Sequence, residues 1–335
     1  MPHYKTEGVS TMSPFLSHAA LSAAIAIGLG TTALGQNTDN ASGNKGTWHL
    51  VPETTLSAML DCIEQSDTSL ISAHRGGPSP GLPENSVETM DALLTAIPAV
   101  MEIDVAQSPD GVHYLMHDRT LDRTTTGTGN VTDAPWSEVQ KLFLVDEAGW
   151  VTPYRVPTLN QALSWAIGRT VLQIDFKRTA DYEEVIELIR AQDMAESVIL
   201  IAYSVEAAQK LYALAPEMLI SFSLSAPGDL DEVVAAGIPA DRIVAFTGTR
   251  TAKPDLYQAL DEADVEVIFG TLGRSPNSID NIIDRFGIDE RYAELSEGGV
   301  DVIATDRPRE AAAALSAADR LPKEGRCGVR RASNK

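Results

Sequence analysis

The stretch Val100–Gln107, VMEIDVAQ, decides how this chain is read. It is an apolar strand that carries two acids, Glu102 and Asp104, two positions apart. In a strand, residues i and i+2 share a face. Both carboxylates therefore leave one side of a run that is otherwise suited to burial. Two buried like charges repel, and the loss of water adds to the cost. Such a pair needs a shared proton, a basic partner or a metal ion.

Working outward, short apolar runs alternate with amphipathic helical patterns. Strand candidates are Leu70–Ala73, Val100–Val105, Tyr114–Met116, Val171–Phe176, Val198–Ala202, Leu219–Ser223, Ile243–Phe246, Val265–Phe269 and Val300–Ala304. Between them lie helical stretches such as SVETMDALLTA, TLNQALSWAI and DYEEVIELIRAQ. The alternation predicts an α/β fold with a parallel sheet, a (β/α)8 TIM barrel. Nine candidates are one too many for it. Ile243–Phe246 reads as the excursion. A small insertion, about 118–157, follows the third strand and holds TTTGTG, which reads as a tight turn. No Lys opens a helix after it, as a phosphate-binding P-loop requires.

The polar residues gather at strand ends. The first strand runs into His74 and Arg75, the third into His117, and the fourth carries Asp175 and Lys177 at i and i+2. In a parallel barrel these C-terminal edges meet at one mouth, where active sites lie. His74 and His117 fall on strands flanking the acid-bearing one. At about 4.8 Å per strand they stand roughly 10 Å apart, a gap that fits a phosphate. Glu102, Asp104 and Asp175 offer oxygens to a hard divalent cation, Ca2+ or Mg2+. A glycosidase-type acid pair accounts for neither the histidines nor Arg75 and Lys177. His113, deeper on the third strand, reads as structural. Asp118 either orients His117 or caps the next segment. An ion pair with Lys177 is the other reading of Asp175.

Five segments in order, HRGGPSPGLPENS, MEIDV, HDRTLDRTTTGTG, VPTLNQAL and GVDVIATDRP, resemble the glycerophosphodiester phosphodiesterase family across His74–Pro308. The resemblance implies a TIM barrel with one divalent cation. It also implies metal-dependent hydrolysis of a small glycerophosphodiester to glycerol 3-phosphate and an alcohol. By the same resemblance His74 and His117 are the acid/base pair, and Glu102 and Asp104 are metal ligands, with Asp175 standing where the family usually has Glu. Arg75 and Lys177 become phosphate contacts, and Glu84 and Asn85 support the substrate-binding rim. A second departure is VIFGTLGR (Val267–Arg274), in place of the family's aromatic-rich WTVN-like stretch. Phe269 or Arg274 then lines a different leaving-group pocket. A phospholipase-like activity on intact lipid and a non-catalytic phosphodiester-binding barrel are the alternatives. The first wants an apolar rim, for which only the surroundings of Trp136 and Trp150 offer aromatics. The second should lack a histidine or a metal acid.

Composition bounds the rest. The chain has 335 residues, with 26 Lys and Arg against 47 Asp and Glu, a net charge of −21. That excludes nucleic-acid binding by a broad basic face. The apolar, uncharged run Phe15–Gly35 predicts a cleaved export signal, 1–35, and a periplasmic or secreted protein; an uncleaved anchor is the alternative. Residues 36–47 read as a disordered linker, 48–320 as the barrel and 321–335 as a C-terminal tail. No other membrane span is expected, and the oligomeric state is left open. Cys62 and Cys327 lie near opposite ends of the body; they pair in an oxidising compartment or remain two thiols.

Overall fold

The computed structural model describes residues 46–332. The export segment and all but the end of the linker lie outside the described residues. In chain order the strands are β1 (Thr47–Leu50), β2 (Leu70–Ala73), β3 (Val100–Gln107), β4 (His113–Leu115), β5 (Phe143–Val145), β6 (Val151–Arg155) and β7 (Leu172–Phe176). There follow β8 (Val198–Ala202), β9 (Leu219–Ser223), β10 (Ile243–Phe246), β11 (Val267–Gly270), β12 (Val302–Thr305) and β13 (Val329–Ala332). Eight of them, β2, β3, β7, β8, β9, β10, β11 and β12, run parallel, and the β2–β3 pairing closes them into a (β/α)8 TIM barrel. Helices cover its outside.

Two strand assignments are corrected. Ile243–Phe246 is a full barrel strand, in parallel register with β9 and β11. The surplus strand is β4, which pairs antiparallel with the end of β3, Val105 opposite Leu115 and Gln107 opposite His113. The reason lies in the connection. Ser108–Val112 is five residues with Gly111 at φ +87°, far too short for a parallel crossover. The insertion thus follows β4, the third of the strand candidates, but sits between the second and third strands of the barrel, β3 and β7. It has a small core of its own, with Tyr114, Met116, Leu121, Val131 and Leu144 buried together and the Trp136 ring packed at a tilt, 5.7 Å from the Tyr114 ring.

The question raised by VMEIDVAQ has its answer in the two faces of β3. Met101, Ile103 and Val105 pack outward on the helices. Val100 turns inward with the core at the N-terminal end of the barrel. Glu102 and Asp104 share that inward face, nearer the mouth. On β7, which pairs with β3 so that Asp104 lies opposite Asp175, Leu172 and Ile174 pack outward in the same way. Helix caps are local: Ser86 accepts from the Thr89 amide before helix Val87–Leu94, and Thr158 with Gln161 forms a capping box before helix Leu159–Ala166.

The N-terminal end of the barrel is plugged. Leu56, Met59, Leu60 and Ile63 of helix Leu56–Gln65 are buried against the inward residues Leu70, Val100, Val171 and Ile268. Each such side chain stabilises the fold by about 1.5–3 kcal/mol. The segment read as a tail contains β13, which pairs antiparallel with β1. A disulfide joins Cys62 to Cys327 and ties that ribbon to the plug helix. No helix among the described residues is long and apolar enough to cross a membrane.

Candidate active site

His74 and Arg75 sit in a one-turn 3-10 helix, His74–Gly76, directly after β2. Arg75 has φ +53°, an unfavourable conformation for a residue with a Cβ. That turn points its amide at Glu102, whose Oε2 accepts at 2.7 Å. Gly76, φ +79°, completes the bend; a Cβ there would lie 2.7 Å from Met90 Cγ, so only glycine fits. Asn85, also left-handed at φ +56°, grips Asp104 twice. Its Nδ2 donates to Asp104 Oδ2 at 2.6 Å, and its Oδ1 accepts from the Asp104 amide at 2.9 Å.

Both histidines line one cavity of about 330 Å3, with Arg75, Asp104, Asp175 and Lys177. They arrive by different routes. His74 follows a barrel strand, as expected. His117 does not: it follows β4, so the insertion hairpin delivers it, and the strands flanking β3 in the barrel are β2 and β7. Each ring is held by a carboxylate at Nδ1. Asp306 Oδ1 lies 2.6 Å from His74 Nδ1, and Asp118 Oδ1 lies 2.7 Å from His117 Nδ1. Asp118 is therefore an orienting group, and Arg123 grips it through Nε at 2.6 Å and Nη2 at 2.8 Å. Asp306, in the TDRP segment to which the sequence assigns no chemistry, is fixed in turn: it accepts from the Gly273 amide, and its own amide donates to buried Asp280.

The three acids come together. Glu102, Asp104 and Asp175 each place a carboxylate oxygen within 4.8 Å of the others. Burial pushes the Glu102 carboxyl up, and Asp104 beside it adds to the push. Burial also works against the charge on Asp104, but Lys177 foremost among its neighbours holds it below the usual range. Lys177 Nζ lies 2.5 Å from both Asp104 Oδ1 and Asp175 Oδ2, so Asp175 is an ion-pair partner and a member of the cluster at once. Asp175 Oδ1 is buried with no hydrogen-bond partner. An orphaned carboxylate oxygen facing two further acids fits a hard cation, which takes oxygen ligands and removes the repulsion.

The histidines differ electrostatically. Burial opposes a charge on His74, yet the Asp306 hydrogen bond and the nearby Glu102 charge raise it. Burial lowers His117, and Asp104 and Asp118 only partly offset this. His113 stays out of the site; it is buried, with Nε2 against the Asp181 amide at 3.3 Å.

Three expectations need adjustment. Glu84 and Asn85 do not line the catalytic cavity: Glu84 braces Arg75 (3.1 Å) and Arg123 (2.7 Å) from behind, and Asn85 braces Asp104. Phe269 faces the helices, fully buried, so of the two candidates only Arg274 reaches the cavity, beside Leu272 and Gly273. Tyr203, at the end of β8, lines the cavity near Asp175 and is absent from the sequence reading.

The model of the glycerophosphoryl diester phosphodiesterase family matches residues 74–242. A crystal structure of a glycerophosphoryl diester phosphodiesterase from Parabacteroides distasonis is 31% identical, with a TM-score of 0.72, over 83% of this chain and 96% of that one. A phosphodiesterase from Oleispira antarctica, solved in complex with the product sn-glycerol-3-phosphate, shares the fold at 20% identity and TM-score 0.60, over 76% of this chain and 99% of that one. Bovine glycerophosphodiester phosphodiesterase 1 is 41% identical over 31% of this chain and 32% of its own length, so the match spans about a third of that relative. The stretch from His74 through both acid-bearing strands places the chain in the glycerophosphoryl diester phosphodiesterase family.

Proposed function

We infer that the chain hydrolyses glycerophosphodiesters to glycerol 3-phosphate and an alcohol with two-histidine acid/base catalysis. One observation carries this. Two imidazoles, each anchored at Nδ1 by its own carboxylate, line a single cavity beside a three-carboxylate cluster. With Nδ1 committed, Nε2 of each ring is the atom left for proton transfer. One histidine takes the proton of the attacking glycerol hydroxyl, and the other gives one to the departing alcohol oxygen. The hydroxyl forms a new bond to phosphorus as the bond to the alcohol breaks. Water then opens the resulting cyclic phosphate. Arg75 faces the charge on the phosphoryl oxygens, and Glu84 fixes its guanidinium. Lys177 binds the same phosphate if it leaves the carboxylates it bridges.

Glu102, Asp104 and Asp175 are the residues that would hold Ca2+ or Mg2+. Once bound, the ion supplies positive charge to the phosphoryl group. Asn85 fixes the Asp104 carboxylate through Oδ2. A non-catalytic binding barrel has no use for two imidazoles with dedicated carboxylate partners. The lipid alternative has little rim to use: Trp136 packs on Tyr114, which leaves the exposed pair Trp150 and Val151. The Cys62–Cys327 disulfide supports export to an oxidising compartment, periplasmic or extracellular. Chelator treatment tests the metal. Turnover should vanish and return with Ca2+ or Mg2+, and calorimetry should show that Asp104→Asn binds the ion at least about tenfold more weakly. Undiminished turnover after chelation would contradict the assignment.

A further inference from the structure

A second cavity, of about 290 Å3, adjoins the catalytic one. Val145, Asp146 and Glu147 of the β5–β6 turn wall it on one side, and Glu84, Arg123 and Arg274 on the other. Glu147 and Arg274 line both cavities, so the two spaces meet at these residues.

Most of its charges are already occupied. Asp146 accepts from the amides of Gly81, Ala148 and Trp150. Arg123 is clamped between Glu84 and Asp118. Glu84 takes both Arg75 and Arg123. Two charges differ. The Arg274 guanidinium approaches Glu84 Oε2 at 3.6 Å, too far for a hydrogen bond, and 59% of its side chain is exposed. Glu147 has no hydrogen bond through its carboxylate among the described residues; partial burial and then the Asp306 and Glu84 charges push it above the usual carboxylate range, and Arg274 opposes them only as a nearby charge. The chamber thus offers one guanidinium that Glu84 holds only loosely and one carboxylate without a hydrogen bond, next to the phosphate position.

A third cavity, of about 130 Å3, opens on the other side of His74. Ser221, Ser223 and Gln173 give it hydroxyl and amide groups, Phe246 and Leu272 an apolar wall, and Glu102 and Asp175 its edge at the acidic cluster. It suits a small neutral polyol. With the glycerol half placed there, the alcohol half would extend into the charged chamber.

We propose that Arg274 and Glu147 select a zwitterionic leaving group, an alcohol bearing both a carboxylate and an ammonium, as serine does. The proposal rests on the diesterase reading above. A guanidinium takes a carboxylate through paired hydrogen bonds, and a free carboxylate takes an ammonium. Ethanolamine or choline satisfies only Glu147 and leaves Arg274 facing a cation. Glycerol satisfies neither. Discrimination follows from the charges left unpaired.

The test compares kcat/KM for glycerophosphoserine, glycerophosphoethanolamine and glycerophosphoglycerol in the wild type, Arg274→Met and Glu147→Gln. The wild type should favour glycerophosphoserine over glycerophosphoethanolamine. In Arg274→Met that ratio should fall by about tenfold or more, the loss expected for one charge-assisted contact. In Glu147→Gln both ammonium-bearing diesters should lose ground against glycerophosphoglycerol. A ratio that Arg274→Met leaves unchanged overturns the proposal. A parallel arm measures glycerophosphoserine binding calorimetrically in His117→Ala, with and without Arg274→Met. Binding weakened about tenfold by Arg274→Met supports the chamber, and equal binding overturns it. If the wild type turns over no diester, the reaction assignment falls, and this binding arm still decides the chamber.

Discussion

His117→Ala should lower kcat on a glycerophosphodiester by about three orders of magnitude, within the span expected for loss of a general acid or base. The expectation rests on position: His117 lines the cavity with its Nδ1 held by Asp118 at 2.7 Å. Its ring is about a third exposed, so removing it leaves no large buried void and the fold should persist. His113→Ala is the control. His113 lies four residues away but is buried against the helix that Asp181 opens. Its loss should act on thermal stability and not on chemistry. If the two variants lose equal activity at equal melting temperature, His117 is not in the proton path. Asp118→Asn should fall between wild type and His117→Ala, because the imidazole stays but loses the partner that sets its tautomer.

The second large effect is on stability. Replacing both Cys62 and Cys327 by Ala should destabilise the protein by about 3–5 kcal/mol, read from denaturant unfolding. The crosslink spans 265 positions, so in the chain-entropy model it strongly restricts the unfolded chain. Its placement adds a second reason. It fixes the plug helix, Leu56–Gln65, against the β1–β13 ribbon at the N-terminal end of the barrel. The double variant should also open first at that end, seen as amide exchange in residues 47–65 ahead of the barrel strands. A stability change below about 1 kcal/mol would mean that the plug is held by its apolar contacts alone.

The parts of this molecule differ in how readable they are from sequence. The faces of β3 and β7 are readable, because a barrel strand sends alternate residues inward and an acid on that face has few places to go but the mouth. The role of β4 is not readable from periodicity, since parallel and antiparallel strands both alternate with a period of two. Only the short Ser108–Val112 connection separates the cases, and an Asp-Gly pair inside it is the signal. Asp118 can be suspected because it adjoins His117. Asp306 cannot, because it meets His74 across 232 positions. Its sole trace is an acid one step past the last barrel strand, the same station that His74 occupies after the first. The hub at Glu84, which gathers Arg75, Arg123 and Arg274 from three separate loops, is likewise invisible before the chain is folded.

Charge explains why such a hub exists. With a net charge of −21, the chain as a whole repels a phosphodiester. Local cations must therefore be concentrated where the anion binds. Arg75, Lys177 and Arg274 all line the catalytic cavity, and buried Glu84 stops the arginines from driving one another apart.

Phosphorus NMR of glycerophosphoserine and glycerophosphocholine, incubated with the purified protein and Ca2+ or Mg2+, tests the reaction most directly. The diester resonance should be replaced by that of glycerol 3-phosphate, with a transient five-membered cyclic phosphate where its opening by water is the slower step. Release of inorganic phosphate, or of the phosphorylated alcohol in place of glycerol 3-phosphate, would show that the wrong ester bond breaks and would contradict the arrangement of His74 and His117 described above.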